Sequence, residues 1–505
     1  MGIIKKQSIY VTLVSYIGLA IGAINTLLLL PHFLTQSQVG LIGVFTAIAF
    51  PLAAISNVGS IFAINRFLPY YKKLLPPTKN DLPLITVITS LLGFCIVFIL
   101  VYLGRDLIFN WFSHAPLLVD YFYLIPLFTL GYMLYGIFQA LNIGYYYTVW
   151  VGTVSEVIFR VFNVIIILFL VCGLYEFNEY FHLYVFMFWI GLVLFFLKLK
   201  ISSPWFFFTK ISSLTKRIKS YIFQYSTFFW FTSVFSVLAT MIDSIVLAGI
   251  QGLEKTGSWM IATYFITVTL IPQRSMISVS IPVIAESWRK KDMANLSMIY
   301  WKSANNMLWA GGFIFLCILL NINEILSFLP EGYHEIKWVI LVLGMAKLVD
   351  YATGVNQNIL ALSRKNWKFD LYTNILLVCL LIPLNYFLIK QYGIIGSAFA
   401  NLVGFFIYNF IRTTYLWVAL RITPFNIQNS KLLTIIGLFL MIFVAQMYYF
   451  EIPDMIIWKN PLVIIFKSGL FLILYFAIIL QWKASDDVRE ILVSGLEKVK
   501  KQFKK

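Results

Sequence analysis

The sequence predicts an all-α polytopic membrane protein of about 14 transmembrane helices. Of its 505 residues, 61% are hydrophobic and 12% are charged, whereas soluble domains are about 45 to 50% apolar and about 25% charged. Apolar runs of about 20 residues, the length that crosses a hydrocarbon core of about 30 Å, recur along the chain. Lys and Arg are abundant in every second loop between these runs and scarce in the others. This alternation is the charge bias of a multi-pass membrane protein.

The apolar runs predict one transmembrane helix after another along the chain. Their boundaries are defined by charged and turn-forming residues, to within a few positions. The predicted spans are 9–30, 40–65, 82–103, 119–141, 148–172, 180–198, 222–249, 257–283, 303–321, 337–361, 370–389, 393–420, 431–450 and 462–482.

The loop charges predict the orientation. Most of the 38 Lys and Arg residues lie in loops on one side, and the loops on the other side contain only Arg105, Lys255, Lys337, Lys390 and Lys459. The lysine-rich side is cytoplasmic by the positive-inside rule, so both termini are predicted to be cytoplasmic. The net charge of +17 is explained by this bias and by contact with anionic lipid, and it does not indicate nucleic-acid binding.

Two halves of the predicted helix set resemble each other. A shift of 217 positions aligns Gly40 with Gly257 and Asn57 with Arg274, and spans 1–6 and 7–12 agree in length and charge placement. Because six spans return the chain to the same side, the halves are predicted to be parallel repeats around a central cavity. The predicted domains are an N-lobe (1–198), a cytoplasmic linker (199–221), a C-lobe (222–420), spans 13 and 14 (421–482) and a basic amphipathic tail on the inner leaflet (483–505).

Several stretches resemble a known family. They include LLPHFLTQSQVGLIGVF, MIDSIVLAGIQGLEKTGSWMIA and the turn YGIIGSA at Tyr392 to Ala398. On these stretches the chain resembles the polysaccharide exporters, including Wzx-type oligosaccharide-lipid flippases, of the multidrug/oligosaccharidyl-lipid/polysaccharide exporter superfamily.

The resemblance implies a carrier with no enzymatic activity. By alternating access it would move a polyprenyl-diphosphate-linked glycan from the inner to the outer leaflet of the bacterial cytoplasmic membrane. Its product would serve cell-surface polysaccharide biosynthesis, such as that of O-antigen lipopolysaccharide. The implied partners are the lipid-linked glycan, membrane lipids and polysaccharide-assembly proteins.

Charged and amide side chains within the spans are the candidate substrate-binding residues. Charges at that depth are costly and indicate a functional or paired role, and the guanidinium fork suits phosphate oxygens. The candidates are Arg274, Arg160, Lys347, Arg412, Asn57, Gln139 and Gln357. Arg274 is the central one, because it has no carboxylate on its own helix within one turn. The structural alternative is an ion pair from Arg274 to Asp243 or Asp350.

Three carboxylates within the spans are candidates for binding a coupling ion, H⁺ or Na⁺. They are Asp243, Glu156 and Asp350. Glu156 with Arg160 (i, i+4) and Lys347 with Asp350 (i, i+3) have the spacing of helical ion pairs, so each pair also has a structural interpretation. The Cys and His residues have no metal-ligand spacing, and neither a metal site nor a cofactor is predicted.

Three other functions are consistent with the sequence to different degrees. A multidrug exporter of the same superfamily would favour a cavity rich in carboxylates, whereas this chain has at least as many cations within its spans. A membrane-embedded glycan polymerase or ligase would need acids or bases in its outer loops, which are short and nearly free of clustered carboxylates. A scaffold in an envelope-assembly complex is the third. Glycosyltransferase genes beside this one would favour the flippase.

Overall fold

The computed structural model describes residues 2–202, 210–363, 365–449 and 461–490, and these residues form helices joined by short turns. The chain divides into two compact units, Met1–Gly257 and Ser258–Lys505. The predicted linker precedes this division. Part of it, residues 203–209, lies outside the described residues.

The described residues of the first unit form twelve α-helices and most of a long thirteenth. They are α1 (Gly2–Ala23), α2 (Leu30–Phe33), α3 (Gln36–Ser56), α4 (Ser60–Leu74), α5 (Leu82–Leu103), α6 (Arg105–Trp111), α7 (Pro116–Asp120), α8 (Ile125–Gly144), α9 (Thr148–Gly152), α10 (Phe159–Val171), α11 (Phe177–Val185), α12 (Met187–Ser202) and α13 (Ser213–Thr269). Two π-helical segments, Ile24–Leu29 and Thr153–Ile158, interrupt the first and fifth predicted spans.

The described residues of the second unit form nine further helices. They are α14 (Ile271–Lys290), α15 (Met293–Leu320), α16 (Ile322–Leu326), α17 (Ile336–Ala352), α18 (Asn356–Ala361), α19 (Trp367–Tyr392), α20 (Ile394–Leu420), α21 (Ile427–Tyr449) and α22 (Pro461–Gln481).

Twelve helices among the described residues are long and apolar enough to cross a membrane. The predicted fold class, an all-α polytopic membrane protein, is confirmed at this level, but 14 separate spans are not found. The predicted span 222–249 shares α13 with the start of span 257–283. The predicted span 337–361 is divided between α17, which has 17 residues, and the short α18.

Polar contacts anchor the start of α13 within the first unit. The Ser212 backbone N–H donates to Asp81 Oδ2 over 2.8 Å, and the hydroxyls of Tyr71 and Thr215 are 2.6 Å apart. Burial raises the pKa of Tyr71 to about 12, so this hydroxyl stays protonated at neutral pH and can donate a hydrogen bond.

The predicted tail begins as part of the second unit. Ala484, Ser485 and Val488 are at most 3% exposed, because the chain after α22 packs on the helices of this unit. Val488 is therefore covered by protein, and the predicted contact of the tail with the inner leaflet stays a prediction. Residues 491–505, which carry the rest of the predicted stripe, lie outside the described residues.

Glycines bring α3 and α13 into close contact in the first unit. A Cβ atom at Gly40 would lie 1.8 Å from the carbonyl oxygen of Leu253. One at Gly257 would lie 2.2 Å from the carbonyl oxygen of Gln36. Gly252 has φ 81°, outside the helical range, and it divides α13 into two helical parts. The backbones of these helices can approach this closely only because both contact positions lack a side chain.

Gly40→Ala is expected to lower the free energy of unfolding by about 1 to 3 kcal/mol, because the added methyl group overpacks a backbone contact. Gly437→Ala on α21 is the matched control, since a Cβ atom there meets nothing within 4 Å and alanine is the better helix former. Melting temperatures of the two purified variants in one detergent check the prediction. Equal melting temperatures would contradict the close contact.

Candidate substrate-binding site

Arg274 lies in the first turn of α14, in the second unit. α13 ends at Thr269, and α14 begins at Ile271 with Pro272 as its second residue. Proline suits a helix start because an N–H there has no partner within the helix. The predicted span 257–283 is therefore broken just before the arginine.

The Arg274 side chain is exposed, and no carboxylate in the described part of the second unit forms an ion pair with it. A helix start carries partial positive charge, and the guanidinium adds a full charge and five N–H donors in a planar fork. The first turn of α14 is therefore chemically suited to an anion with several oxygens, such as phosphate.

A network of amide, hydroxyl and carboxylate groups lies beside this turn. Gln273 Nε2 donates to Asp350 Oδ2 over 2.8 Å, and Asn409 Nδ2 donates to Asp350 Oδ1 over 3.3 Å. Thr353 Oγ1 and Asn356 Nδ2 each donate to Asn409 Oδ1 over 2.9 Å. These five residues, the amide network, connect α14, α17, α18 and α20. Each Asp350 oxygen accepts one amide N–H group, and no ion pair from Arg274 to Asp350 is found among the described residues.

Two exposed candidates follow members of the amide network in the sequence. Arg274 follows Gln273, and the exposed Gln357 follows Asn356. The indole N–H of Trp288 on α14 also donates to the Ile359 carbonyl of α18 over 3.1 Å. The structure thus fixes α14 and α18, the helices that carry Arg274 and Gln357, against a common framework.

Lys347 is half-buried on α17. Its Nζ lies 4.3 Å from the centre of the Phe405 ring. The predicted i, i+3 ion pair with Asp350 is not formed, and the Asp350 oxygens instead accept from the amides of Gln273 and Asn409. The aromatic face stabilises the ammonium without neutralising it, and Lys347 remains a positive charge in the second unit.

Arg412 is fully buried on α20 and is occupied by other groups of the protein. Its Nη2 pairs with the carboxylate of Asp370, and its Nε donates to Thr373 Oγ1 over 2.8 Å. Its guanidinium carbon lies 4.0 Å from the centre of the Tyr408 ring. Arg412 is 0% exposed and connects α20 to Asp370 and Thr373 of α19, and its predicted contact with substrate stays a prediction.

Glu156 and Arg160 form an ion pair in the first unit. Arg160 Nη2 lies 2.9 Å from Glu156 Oε2 at i, i+4 spacing, and both side chains are about one-third exposed. The ion pair that the i, i+4 spacing predicted is thus observed. Glu156 lies in the π-helical segment Thr153–Ile158, and a Cβ atom at Gly18 of α1 would lie 2.5 Å from its carbonyl oxygen. The pair therefore sits at a close contact between helices.

The other candidates of the first unit are partly or fully buried. Asn57 caps the carboxyl end of α3 and is 7% exposed, and its Oδ1 has no hydrogen-bond partner among the described residues. Gln139 is half-buried, and its Nε2 donates to Tyr135 Oη over 3.3 Å. Asp243 is 5% exposed. The structure does not bring Asn57, Gln139, Arg160 and Asp243 into one hydrogen-bonded group among the contacts described.

The sequence analysis missed Asp370 and the helix start at Ile271. Asp370 and Arg412 are 42 positions apart, so no local spacing reveals their pairing. Pro272 could have indicated the helix start, because proline is common in the first turn of a helix.

No protein-family model and no curated protein matches this chain. Solved structures match it over most of its length. The structure titled lipid II flippase MurJ, in an inward closed conformation, has 16% sequence identity and a TM-score of 0.69, and the match covers 94% of this chain and 99% of that one. An inward-facing multidrug resistance MATE family transporter of the MOP superfamily has 13% identity and a TM-score of 0.61, covering 85% and 96%. An outward-facing multidrug resistance MATE family transporter of the MOP superfamily has 13% identity and a TM-score of 0.56, and the match covers 85% of this chain and 97% of that one.

At these identities the likeness establishes the fold. The chain has the all-α fold of these solved structures, which are a flippase and two multidrug resistance transporter structures. The predicted all-α membrane fold is thus confirmed, and the resemblance to the exporter family stays a prediction.

Proposed function

We propose that this protein is a lipid-linked oligosaccharide flippase, which moves a polyprenyl-diphosphate glycan from the inner to the outer leaflet by alternating access. The observation that carries the proposal is the exposed Arg274 at the start of α14, without a carboxylate partner in the described part of its unit. At the membrane depth that the predicted span 257–283 gives Arg274, a cation costs free energy unless a ligand or water compensates it. The product serves cell-surface polysaccharide biosynthesis, such as that of O-antigen lipopolysaccharide.

The diphosphate binds at the first turn of α14. Arg274 grips its oxygens bidentately, and the helix start adds a favourable partial charge. Gln357 offers an exposed amide, and Lys347 contributes positive potential from α17. Arg412 and the Arg160–Glu156 pair act by positioning helices. The amide network holds the first turn of α14 in place through Gln273.

The protein lies in the bacterial cytoplasmic membrane with 14 spans and both termini inside. Gly252 divides α13 into two helical parts, which supports assigning these parts to two different spans. The loops rich in Lys and Arg support the proposed orientation. The two lobes and the central cavity predicted from the repeat belong to this proposal. Polysaccharide-assembly proteins are its proposed partners.

Ion coupling is a separate part of the proposal. Moving two negative charges outward across an inside-negative membrane is downhill by roughly 4 to 5 kcal/mol per 100 mV. Substrate export therefore does not require a coupled ion, but the return of the empty carrier can use one. Asp243, which is 5% exposed, is the proposed H⁺ or Na⁺ site, and Glu156 and Asp350 are the alternative sites.

Two observations favour a flippase over a multidrug exporter. The match to the flippase structure extends over 94% of this chain, against 85% for the MATE transporters. The exposed charge in the candidate site is a guanidinium, which repels cationic drugs and attracts phosphate.

Removal of this protein from its native cell is expected to trap lipid-linked glycan on the cytoplasmic leaflet, because glycan synthesis continues while export stops. Glycan extracted from isolated membranes, compared with glycan on intact cells, measures the effect. Unchanged surface glycan together with increased sensitivity to cationic drugs would favour the exporter and contradict the flippase.

A further inference from the structure

An apolar groove lies between α17, α20 and α21 in the second unit. Its volume is about 480 Å³, which is within the range of about 300 to 1,000 Å³ for small-ligand sites. Its lining residues on α20 extend from Phe406 to Trp417, and the helix rises by roughly 16 Å between them at 1.5 Å per residue. A hydrocarbon core is about 30 Å thick, so the groove has about the length of one leaflet.

Large aromatic side chains form much of the groove surface. Phe406, Phe410 and Trp417 are each more than half exposed, and they recur along one face of α20. Leu348 of α17 and Leu433 of α21 add apolar surface from the neighbouring helices. An open apolar groove of this length on a membrane protein is suited to one acyl chain of a lipid.

A polar cleft adjoins the groove at the turn between α20 and α21. Its volume is about 510 Å³. Phe425 lines both the groove and the cleft, and Leu433 of the groove directly precedes Thr434 of the cleft on α21. The other residues that line the cleft are Asn426, Ile427, Ser430, Lys431 and Trp482. An acyl-chain groove and a polar cleft that share a boundary match the two parts of a phospholipid.

The polar cleft offers a cation beside hydroxyl oxygens. Lys431 Nζ donates to the Trp482 carbonyl over 2.9 Å, and because an ammonium group has three donors, others remain for a ligand. No ion pair of Lys431 is found among the described residues. The hydroxyls of Ser430 and Thr434 donate to the carbonyls of Asn426 and Ser430 over 3.1 and 3.0 Å. Both hydroxyl oxygens therefore present lone pairs as acceptors.

The polar cleft lies at the predicted cytoplasmic face of the membrane. The turn between α20 and α21 and the end of α22 are both on the lysine-rich side, and Trp482 suits this boundary because tryptophan is enriched at membrane–water interfaces. Anionic phospholipids of the cytoplasmic leaflet attract basic residues near its surface. Among the described residues, none of those that line the cleft is acidic, so Lys431 gives it a positive charge.

We propose that the groove and the polar cleft together bind one anionic glycerophospholipid of the inner leaflet, phosphatidylglycerol. One acyl chain lies in the groove along α20, and the phosphate accepts from Lys431. The glycerol hydroxyls of the head group donate to the Ser430 and Thr434 oxygens. Because the acyl chain is in an apolar medium whether or not it is bound, the head group determines which phospholipid is preferred. This lipid is a resident of the membrane and not the transported substrate.

The test measures binding of phosphatidylglycerol and of phosphatidylcholine with the same acyl chains to the purified, delipidated full-length protein by native mass spectrometry. The wild type is expected to bind phosphatidylglycerol about fivefold more tightly, the size expected for one lysine that faces an anionic lipid. Lys431→Ala should remove this preference, and Lys431→Arg should keep it. Lys368→Ala is the matched control, because the exposed Lys368 also lies beside a tryptophan, with its Nζ 5.6 Å from the centre of the Trp367 ring, and lines neither space.

A second arm fills the groove. Thr414 is an exposed groove residue of α20, and Thr414→Phe should weaken binding of both phospholipids by at least about fivefold, because its ring takes the place of the acyl chain. Val403→Phe is the control, since Val403 is exposed on the same helix and does not line the groove. This arm keeps the inference testable if Lys431→Ala fails to fold.

Three results would overturn the inference. The first is equal affinity of the wild type for the two phospholipids, or a preference that Lys431→Ala leaves unchanged. The second is equal lipid binding by Thr414→Phe and Val403→Phe. The third is displacement of phosphatidylglycerol by short-chain prenyl diphosphate, which would assign the site to the substrate and not to a resident phospholipid.

Discussion

Asp370→Ala is expected to lower the free energy of unfolding by about 3 to 5 kcal/mol, because it leaves the fully buried Arg412 as an uncompensated charge. The guanidinium has a carboxylate, the Thr373 hydroxyl and the Tyr408 ring as neighbours, and only the carboxylate neutralises it. Denaturant titration of the purified variant in mixed micelles measures the loss.

The double variant Asp370→Leu/Arg412→Met is the decisive comparison. Replacing both partners of a buried ion pair with apolar residues is often nearly neutral, so most of the lost stability should return. Glu286→Gln is the control, since Glu286 pairs with Lys290 in an exposed position and should unfold like the wild type. If Asp370→Ala unfolds like the wild type, the buried pair does not stabilise the fold.

The same double variant tests the sequence-based prediction that Arg412 binds substrate. A positioning role predicts that the refolded double variant still binds bare prenyl diphosphate with wild-type affinity. If a stable double variant no longer binds prenyl diphosphate, the prediction that Arg412 binds substrate would be supported.

Arg274→Ala is expected to reduce glycan export by roughly ten- to a hundredfold without loss of stability. Hydrogen bonds to a charged group are worth about 1.5 to 3 kcal/mol, and the exposed guanidinium has no carboxylate partner in the described part of its unit. Arg274→Lys should retain part of the activity, because an ammonium attracts phosphate but cannot form the planar fork. Export is measured as surface glycan per cell, at matched protein levels.

Arg289→Ala is the matched control for this prediction. Arg289 lies on the same helix, is 77% exposed, and lies 3.9 Å from Glu286 near the end of α14. Its variant should export glycan normally. Misfolding of Arg274→Ala that is rescued by neutralising Asp350 or Asp243 would indicate a structural ion pair and contradict the substrate role.

The fold was predictable because long apolar runs and the alternation of Lys and Arg between loops indicate membrane-spanning helices. Neither feature depends on how the side chains pack. The Glu156–Arg160 pair was predictable for a local reason, since i, i+4 spacing brings the two charges together on any helix. The same logic failed for Lys347 and Asp350. Gln273, 77 positions away from Asp350, donates to that carboxylate instead, and a partner from another helix has no local signature.

Burial also separates the candidate arginines in a way that sequence cannot. Arg274 and Arg412 both lie in predicted spans, yet Arg274 is exposed and Arg412 is 0% exposed. Arg412 can be buried because Asp370 pairs with it. Asp370 is 42 positions away in the sequence, and the apolar pattern identifies it only as the first residue of a predicted span. Contacts between helices therefore determine which of the two arginines is accessible to a ligand.

Transport by the reconstituted protein tests the central claim most directly. Purified wild-type protein in liposomes that contain a short-chain prenyl-diphospho-oligosaccharide should make the inner-leaflet fraction of this lipid accessible to an impermeant glycan-modifying enzyme. Arg289→Ala should do so at the wild-type rate, and Arg274→Ala at least about tenfold more slowly, as expected when a charge-assisted contact is lost. An accessible fraction that stays at the protein-free level with folded wild-type protein, or equal rates for the two variants, would contradict the account.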